Sequence, residues 1–223
     1  MQIEFTDSPM KDVRFYQDDN LKRLVNITLE YFNTRVFEGI LALISTDNLD
    51  LIRRLISQFK SDDDNSFGNI YDELSVILTD IYNEKNRDNL RGCFLELIVF
   101  ELLNKKYDII SNRYEYGING FLKINGQECK RSVDVFALCD MFKGFVCECK
   151  IKSNGFEDHD IENLNLIYIH SKKILSPYVV SLCPQDFIES KLNEIYKNDD
   201  SNVIVNGQFI KIISIDNFIN FFN

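Results

Sequence analysis

The sequence predicts an α/β fold: a central mixed β-sheet flanked by helices, preceded by a helical region over residues 1–87. Three observations predict it. Apolar residues in the first third recur at helical spacing, an Asn125-Gly126 pair separates two strand-like runs, and strand-like and helix-like stretches alternate from residue 133 onward. The chain has 223 residues, long enough for one large domain, or one domain with a helical extension.

The helical region comes first. Leu24, Ile27, Leu29, Phe32, Val36, Ile40 and Leu43 follow helical spacing, and further helices are expected over 49–59 and 70–82, with the Asp-rich stretch 61–66 as a solvated loop between them. This region reads as a packed helical layer, with a partner-binding platform as its functional alternative. The second part, 88–223, opens with a helix over 90–105. Its apolar run from Phe94 to Leu103 is interrupted by Glu96 and Glu101, so it is expected to be buried on most sides.

A β-meander follows. Residues 121–124 and 133–138 read as strands around the Asn125-Gly126 turn, and a turn at 141–144 leads to a third strand over 145–151. A helix is expected over 161–173, a strand over 178–182 and a helix over 186–196 with Asp186 near its N-cap. Residues 203–213 read as a last hairpin around Asn206-Gly207. The terminal Phe218, Ile219, Phe221 and Phe222 read as core packing, with a protein interface as the alternative.

Several function classes are excluded or disfavoured. The charged N-terminus does not resemble a signal peptide, and no apolar run approaches the roughly 18 residues that span a bilayer. A cytoplasmic protein without membrane contact is therefore expected. Six cysteines form no CxxC pair, so buried thiols are expected rather than disulfides or a zinc site. His159-Asp160 lacks the further histidines of a metal phosphohydrolase, and no GxxxxGK[ST] or GxGxxG motif is present. The 25 Lys+Arg against 35 Asp+Glu, a net charge of −10, argue against gripping nucleic acid by bulk charge. That acidity is uneven: residues 1–90 carry −7, residues 153–223 carry −5, and residues 91–152 alone are positive, at +2.

The positive segment also carries the chemistry. Along 145–151, Phe145, Cys147, Cys149 and Ile151 fall on one strand face, and Val146, Glu148 and Lys150 on the other. Asp134 lies on the preceding strand, and antiparallel pairing lets it meet Glu148. Two carboxylates and an ammonium on one face suit a hard cation such as Mg²⁺, for which Mn²⁺ is expected to substitute. Asp134, Glu148 and the backbone carbonyl of Cys149 can supply oxygens, and Lys150 can orient or deprotonate a water for attack on phosphorus. An ordinary ion-paired sheet face is the alternative.

Asp134 followed by Glu148-Cys149-Lys150 resembles the Asp and Glu-x-Lys elements of the PD-(D/E)XK nuclease superfamily, and the resemblance covers about residues 88–185. Arg91-Gly92-Cys93-Phe94-Leu95-Glu96 is similar to the family's acid-bearing first helix. Val133 stands where the family has Pro, and Asn163, Asn165 and Tyr168 give no clean match to the family's later helix motif.

The resemblance implies a restriction-endonuclease-like core and a Mg²⁺-dependent endonuclease that leaves 5′-phosphate and 3′-hydroxyl ends, with restriction, repair or antiphage defence as its setting. It implies Glu96 as a third acid at the metal, directly or through water. Glu101, five residues on, points elsewhere on the helix. Lys130, Arg131 and Lys152 are candidate nucleic-acid contacts, as are Lys105 and Lys106; solvated surface charge is the alternative reading. DNA is expected over RNA, although no short motif reports 2′-OH recognition. A homodimer is expected if both strands are cut. A protein partner that recruits or activates the enzyme is a further candidate, and the alternative class is an inactive subunit on the same fold that acts as an assembly or partner-binding module.

Overall fold

The computed structural model describes residues 2–7, 14–62, 68–140, 143–198 and 209–223. They divide into two compact units, one of residues 12–94 and one combining the first eleven residues with 95–223. The helix over Arg87–Tyr107 runs from the first unit into the second.

The first unit contains α1 (Arg14–Gln17), α2 (Asp19–Glu30), α3 (Arg35–Ser45), α4 (Leu49–Asp62), α5 (Gly68–Asn83) and the start of α6 (Arg87–Tyr107). The apolar spacing over 24–43 belongs to two helices rather than one. Asn33 adopts φ 66, and Thr34 then caps α3 by accepting from the Phe37 N–H at 3.4 Å. Asp18 caps α2 in the same way, accepting from Leu21 at 2.8 Å. Leu21, Leu24, Phe37, Leu43, Ile44, Leu74 and Leu78 are wholly buried. Arg91 is buried too. Its guanidinium donates to the Ile44 carbonyl at 2.9 Å, to Asp47 at 2.6 Å and to Asp88 at 3.2 Å, so the buried charge is compensated.

The second unit is an α/β arrangement around a mixed seven-stranded sheet flanked by helices. Its strands are β1 (Ile3–Asp7), β2 (Tyr116–Ile124), β3 (Gln127–Glu128), β4 (Val133–Asp140), β5 (Lys143–Lys150), β6 (Leu175–Ser181) and β7 (Lys211–Ile213). The order is β1-β2-β4-β5-β6-β7, with β3 paired to β2. Strands β2, β4 and β5 form the expected antiparallel meander. Helix α7 (Asp158–His170) then carries the chain across to β6, parallel to β5, and α8 (Gln185–Asn198) leads to β7, parallel to β6.

Strand β1 corrects the reading of residues 1–87 as wholly helical. Ile3 and Phe5 alternate with Glu4 and Thr6, and the strand pairs antiparallel with β2 at the sheet edge. Its seat is prepared by two glycines. A Cβ on Gly117 would lie 1.9 Å from the Phe5 ring, and one on Gly120 would lie 2.3 Å from that ring and 2.4 Å from the Thr6 carbonyl. Phe5 instead stacks on Phe136, with ring centroids 5.8 Å apart.

Asn125 and Gly126 have φ 52 and 86, as a type I′ turn demands, but the strand they lead into is only the two residues of β3. β4 reaches β2 further along, in the register Ile118↔Val135. Of the expected last hairpin, 203–208 lie outside the described residues, as do 63–66 of the Asp-rich loop and 141–142 of the β4–β5 turn. The terminal aromatics form α9 (Phe218–Phe222), with Phe218 and Phe222 buried and their tilted rings 4.9 Å apart.

One apolar cluster, including Val146, Phe156, Ile161, Leu164, Ile167 and Val179, covers the sheet face that meets α7 and α8. On the other face α6 packs Phe100 against Tyr116 and Tyr107 against Phe145. Among the described residues no helix is long and apolar enough to cross a membrane.

Candidate functional site

Strands β4 and β5 pair in the register Val135↔Cys147 and Phe136↔Val146. Continuing that register sets Asp134 opposite Glu148. Val133 and Val135 are wholly buried on either side of Asp134, which anchors this part of β4 against the core. The Cys149 backbone N–H donates to Asp134 Oδ2 at 2.8 Å. A side chain thus takes an amide that a strand ordinarily gives to a backbone carbonyl, and the carboxylate is held against β5.

Glu148 and Lys150 share a face of β5 with Val146, as the alternation requires. The Lys150 ammonium lies 2.5 Å from Glu148 Oε1, 3.8 Å from Asp134 Oδ2 and 3.9 Å from Asp160 Oδ2. A Cβ added at Gly155, in the turn that leaves β5, would meet the Lys150 stem at 3.4 Å. One cation therefore faces three carboxylates in a place where Glu148 is only 7% exposed and Lys150 itself 28%.

Asp160 is the member that the sequence reading missed. It stands in the first turn of α7, where its Oδ2 also accepts the Glu157 N–H at 3.1 Å. His159 links the same turn, with Nε2 3.2 Å from Asp160 Oδ1 and Nδ1 3.1 Å from Glu157 Oε2. The legible signal was the Glu157/Asp160 spacing of a helix N-terminus, just after the turn that follows Glu148-x-Lys150. Reading His159-Asp160 only as a metal-ligand pair hid it.

The electrostatics follow from this crowding. Burial, then the charge of Asp134, pushes the Glu148 carboxyl well above the usual range, against the pull of Lys150. Burial by itself lowers Lys150, but Asp134, Glu148 and Asp160 together outweigh it and raise its proton affinity. Asp160 is raised by burial, while Lys150, the Glu157 amide and His159 pull it back. With every group ionised the cluster carries an excess of two negative charges.

The other expected site residues are distributed differently. Glu96 is buried on α6, and its charge acts on the thiol of Cys149, on the opposite side of β5 from Glu148. The third carboxylate at the Lys150 ammonium is Asp160, not Glu96. Glu101 is half-buried, and burial raises its pKa. Lys130, Arg131 and Lys152 are exposed. Lys130 lines a cavity of about 250 Å³ with Glu128, Cys129, Asn163 and His170, and the Asn163 side chain donates to the Arg131 and Ser132 carbonyls. Asn165 is buried, and its Nδ2 has no partner among the described residues. Tyr168 stacks on Phe209 at 4.9 Å.

All six cysteines are free. Burial pushes Cys129 up to about 11 and Cys139 up to about 12, and it raises Cys147 and Cys149 as well, so these four remain neutral thiols at physiological pH. Among the described residues no three or more His, Cys, Asp or Glu side chains form a ready-made metal-holding group. No family model matches the chain, and no curated protein matches it.

Proposed function

We propose that the chain is a metal-dependent nuclease that hydrolyses phosphodiester bonds of DNA, acting as an endonuclease on a restriction-endonuclease-like core. The observation that carries this reading is the largely buried cluster of Asp134, Glu148, Lys150 and Asp160 on adjacent strands and the following helix. The path of helix, three-strand antiparallel meander, crossover helix and parallel strand supports the same reading.

The cluster suits Mg²⁺ by donor chemistry and by charge. Its acids are hard oxygen donors, and their excess negative charge is unfavourable where burial has removed water. Asp134 and Glu148, with the Cys149 carbonyl, would hold the ion; Glu96, on the far side of β5, is not part of this set. When bound, the ion supplies Lewis-acid charge that draws a phosphate toward these carboxylates. Lys150, which three carboxylates keep protonated, orients the attacking water and offsets charge that builds on the phosphoryl oxygens. Asp160 positions that ammonium from the first turn of α7.

A second reading, an inactive subunit that binds a partner, is favoured by one observation: the Lys150 ammonium itself fills the place between the carboxylates. A cleavage panel separates the two. Supercoiled plasmid, linear duplex, single strands and RNA are incubated with Mg²⁺ or Mn²⁺ and with the wild type, Asp134→Ala or Lys150→Ala. Cleavage by the wild type alone supports the nuclease. No cleavage of any substrate, together with no Mg²⁺-induced rise in melting temperature, supports the inactive subunit.

A further inference from the structure

The sheet face that packs against α6 carries a feature the proposed chemistry does not use. Phe145 lies 5.1 Å from Tyr107, 5.4 Å from Tyr178 and 6.3 Å from Phe221, and Tyr178 lies 5.2 Å from Phe221. These rings come from α6, β5, β6 and α9, and they form one continuous aromatic cluster. Three exposed lysines rest on it. Lys106 Nζ is 5.6 Å from the Phe221 ring centre, Lys143 Nζ is 4.8 Å from that of Tyr107, and Lys211 Nζ is 5.4 Å from that of Tyr178. Strand register sets them on the same side. Lys143 and Phe145 alternate onto one face of β5, and Tyr178 on β6 pairs with both Cys147 and Lys211.

The partners of these ammoniums are neutral. Lys106 donates to the Phe221 carbonyl at 2.6 Å, Lys143 to the Tyr107 hydroxyl at 3.5 Å and Lys211 to the Tyr178 hydroxyl at 3.4 Å. None forms an ion pair among the described residues. Elsewhere lysines find acids readily: Lys60 pairs with Asp72, Lys123 with Glu4 and Lys191 with Glu194. In a chain with 35 acids and 25 bases, three clustered cations without an ion-pair partner among the described residues are a local reversal of charge. The π faces hold each ammonium without neutralising it, and each keeps N–H donors for an outside anion. Asp140, opposite Lys143 in the β4–β5 hairpin, is a charge that a bound polyanion has to tolerate.

We propose that Lys106, Lys143 and Lys211 form a docking surface for a nucleic-acid phosphate backbone, on the sheet face opposite the Glu148–Lys150 cluster. The choice of nucleic acid over another polyanion rests on the nuclease reading. Ammoniums are point charges that neutralise phosphates without reading sequence, which is the contact an acidic protein needs in order to hold DNA.

The test is fluorescence anisotropy of the full-length chain with a labelled 30-base-pair duplex in EDTA, from 50 to 200 mM salt. The triple variant Lys106→Gln, Lys143→Gln, Lys211→Gln is expected to bind at least about tenfold more weakly at 50 mM salt. Its slope of log affinity against log salt should fall by roughly 2–3, about one per contact. Single variants should each lower the slope by about one, and the triple Lys→Arg variant should restore it. Wild-type slope in the triple Gln variant overturns the proposal. So does absence of DNA binding by the wild type at 50 mM salt. Equal affinity for a poly-glutamate peptide overturns the assignment to nucleic acid. Slope loss in a protein that cleaves no substrate leaves the docking surface standing and removes the nuclease reading.

Discussion

Lys150 holds the cluster together, because it is the only cation that faces Asp134, Glu148 and Asp160 at short range among the described residues. Removing it leaves three acids in a poorly hydrated place. Lys150→Ala should destabilise the metal-free protein by about 2–3 kcal/mol at pH 7, below the range for wholly buried pairs because the ammonium keeps part of its hydration. Urea denaturation checks this, and Mg²⁺ should restore much of the loss.

Glu148→Gln should act in the opposite sense. The fold raises the Glu148 pKa, so the stability tied to its proton is fully present below the unfolded value near 4.3 and is lost as pH rises through the folded value. Gln keeps the uncharged form at every pH. The variant should melt about 2–4 °C above the metal-free wild type at pH 7, the shift expected for about 1 kcal/mol in a chain of this size. The difference should vanish at pH 4, and both the Mg²⁺-induced stabilisation and cleavage should be lost. Scanning calorimetry across pH, with and without Mg²⁺, reads all three.

At the scale of elements, the start of α7 and the edge strand β1 each carry a prediction. Asp160 serves the helix and the ammonium at once, by accepting the Glu157 amide and facing Lys150. Asp160→Ala should cost about 0.5–2 kcal/mol, as the loss of an N-terminal capping acceptor does. Asp160→Asn should keep most of that stability. Both should lower kcat with little change in KM, since the residue acts on Lys150 rather than on substrate; steady-state kinetics with parallel melting curves separate the two roles.

For β1, Gly117→Ala drives a methyl group into the Phe5 ring and should cost about 1–3 kcal/mol. Phe5→Ala in the same chain should return part of it, because the obstacle is a side chain. Gly120→Ala should resist that rescue, because the Thr6 carbonyl is backbone. Hydrogen exchange of the β1 amides distinguishes local detachment of the strand from global loss.

At the scale of the whole molecule, a net charge of −10 means that any phosphate backbone is held against a repulsive background. Raising salt from 50 to 200 mM should therefore lower kcat/KM by tenfold or more while leaving kcat at saturating DNA nearly unchanged. Salt-dependent kinetics on one duplex check this.

Much of this molecule was legible as text. The Asn125-Gly126 turn, the alternation that puts Glu148 and Lys150 on one face, and the buried helix with its two acids are consequences of local spacing. Other features were not. β1 was missed because five residues of alternation are weak evidence until Gly117 and Gly120 open a seat for Phe5. The break between α2 and α3 was missed because the apolar spacing runs through Asn33.

What the sequence by itself determined is the set of local conformations and the pairing of Asp134 with the Glu148-x-Lys150 strand, since side-chain periodicity and turn chemistry act over a few residues. What only the tertiary structure decided is which third acid reaches Lys150. Glu96 and Asp160 are both acids on helices beside the sheet, but α6 and α7 cover opposite faces of it. Periodicity along one helix carries no information about which face that helix will cover.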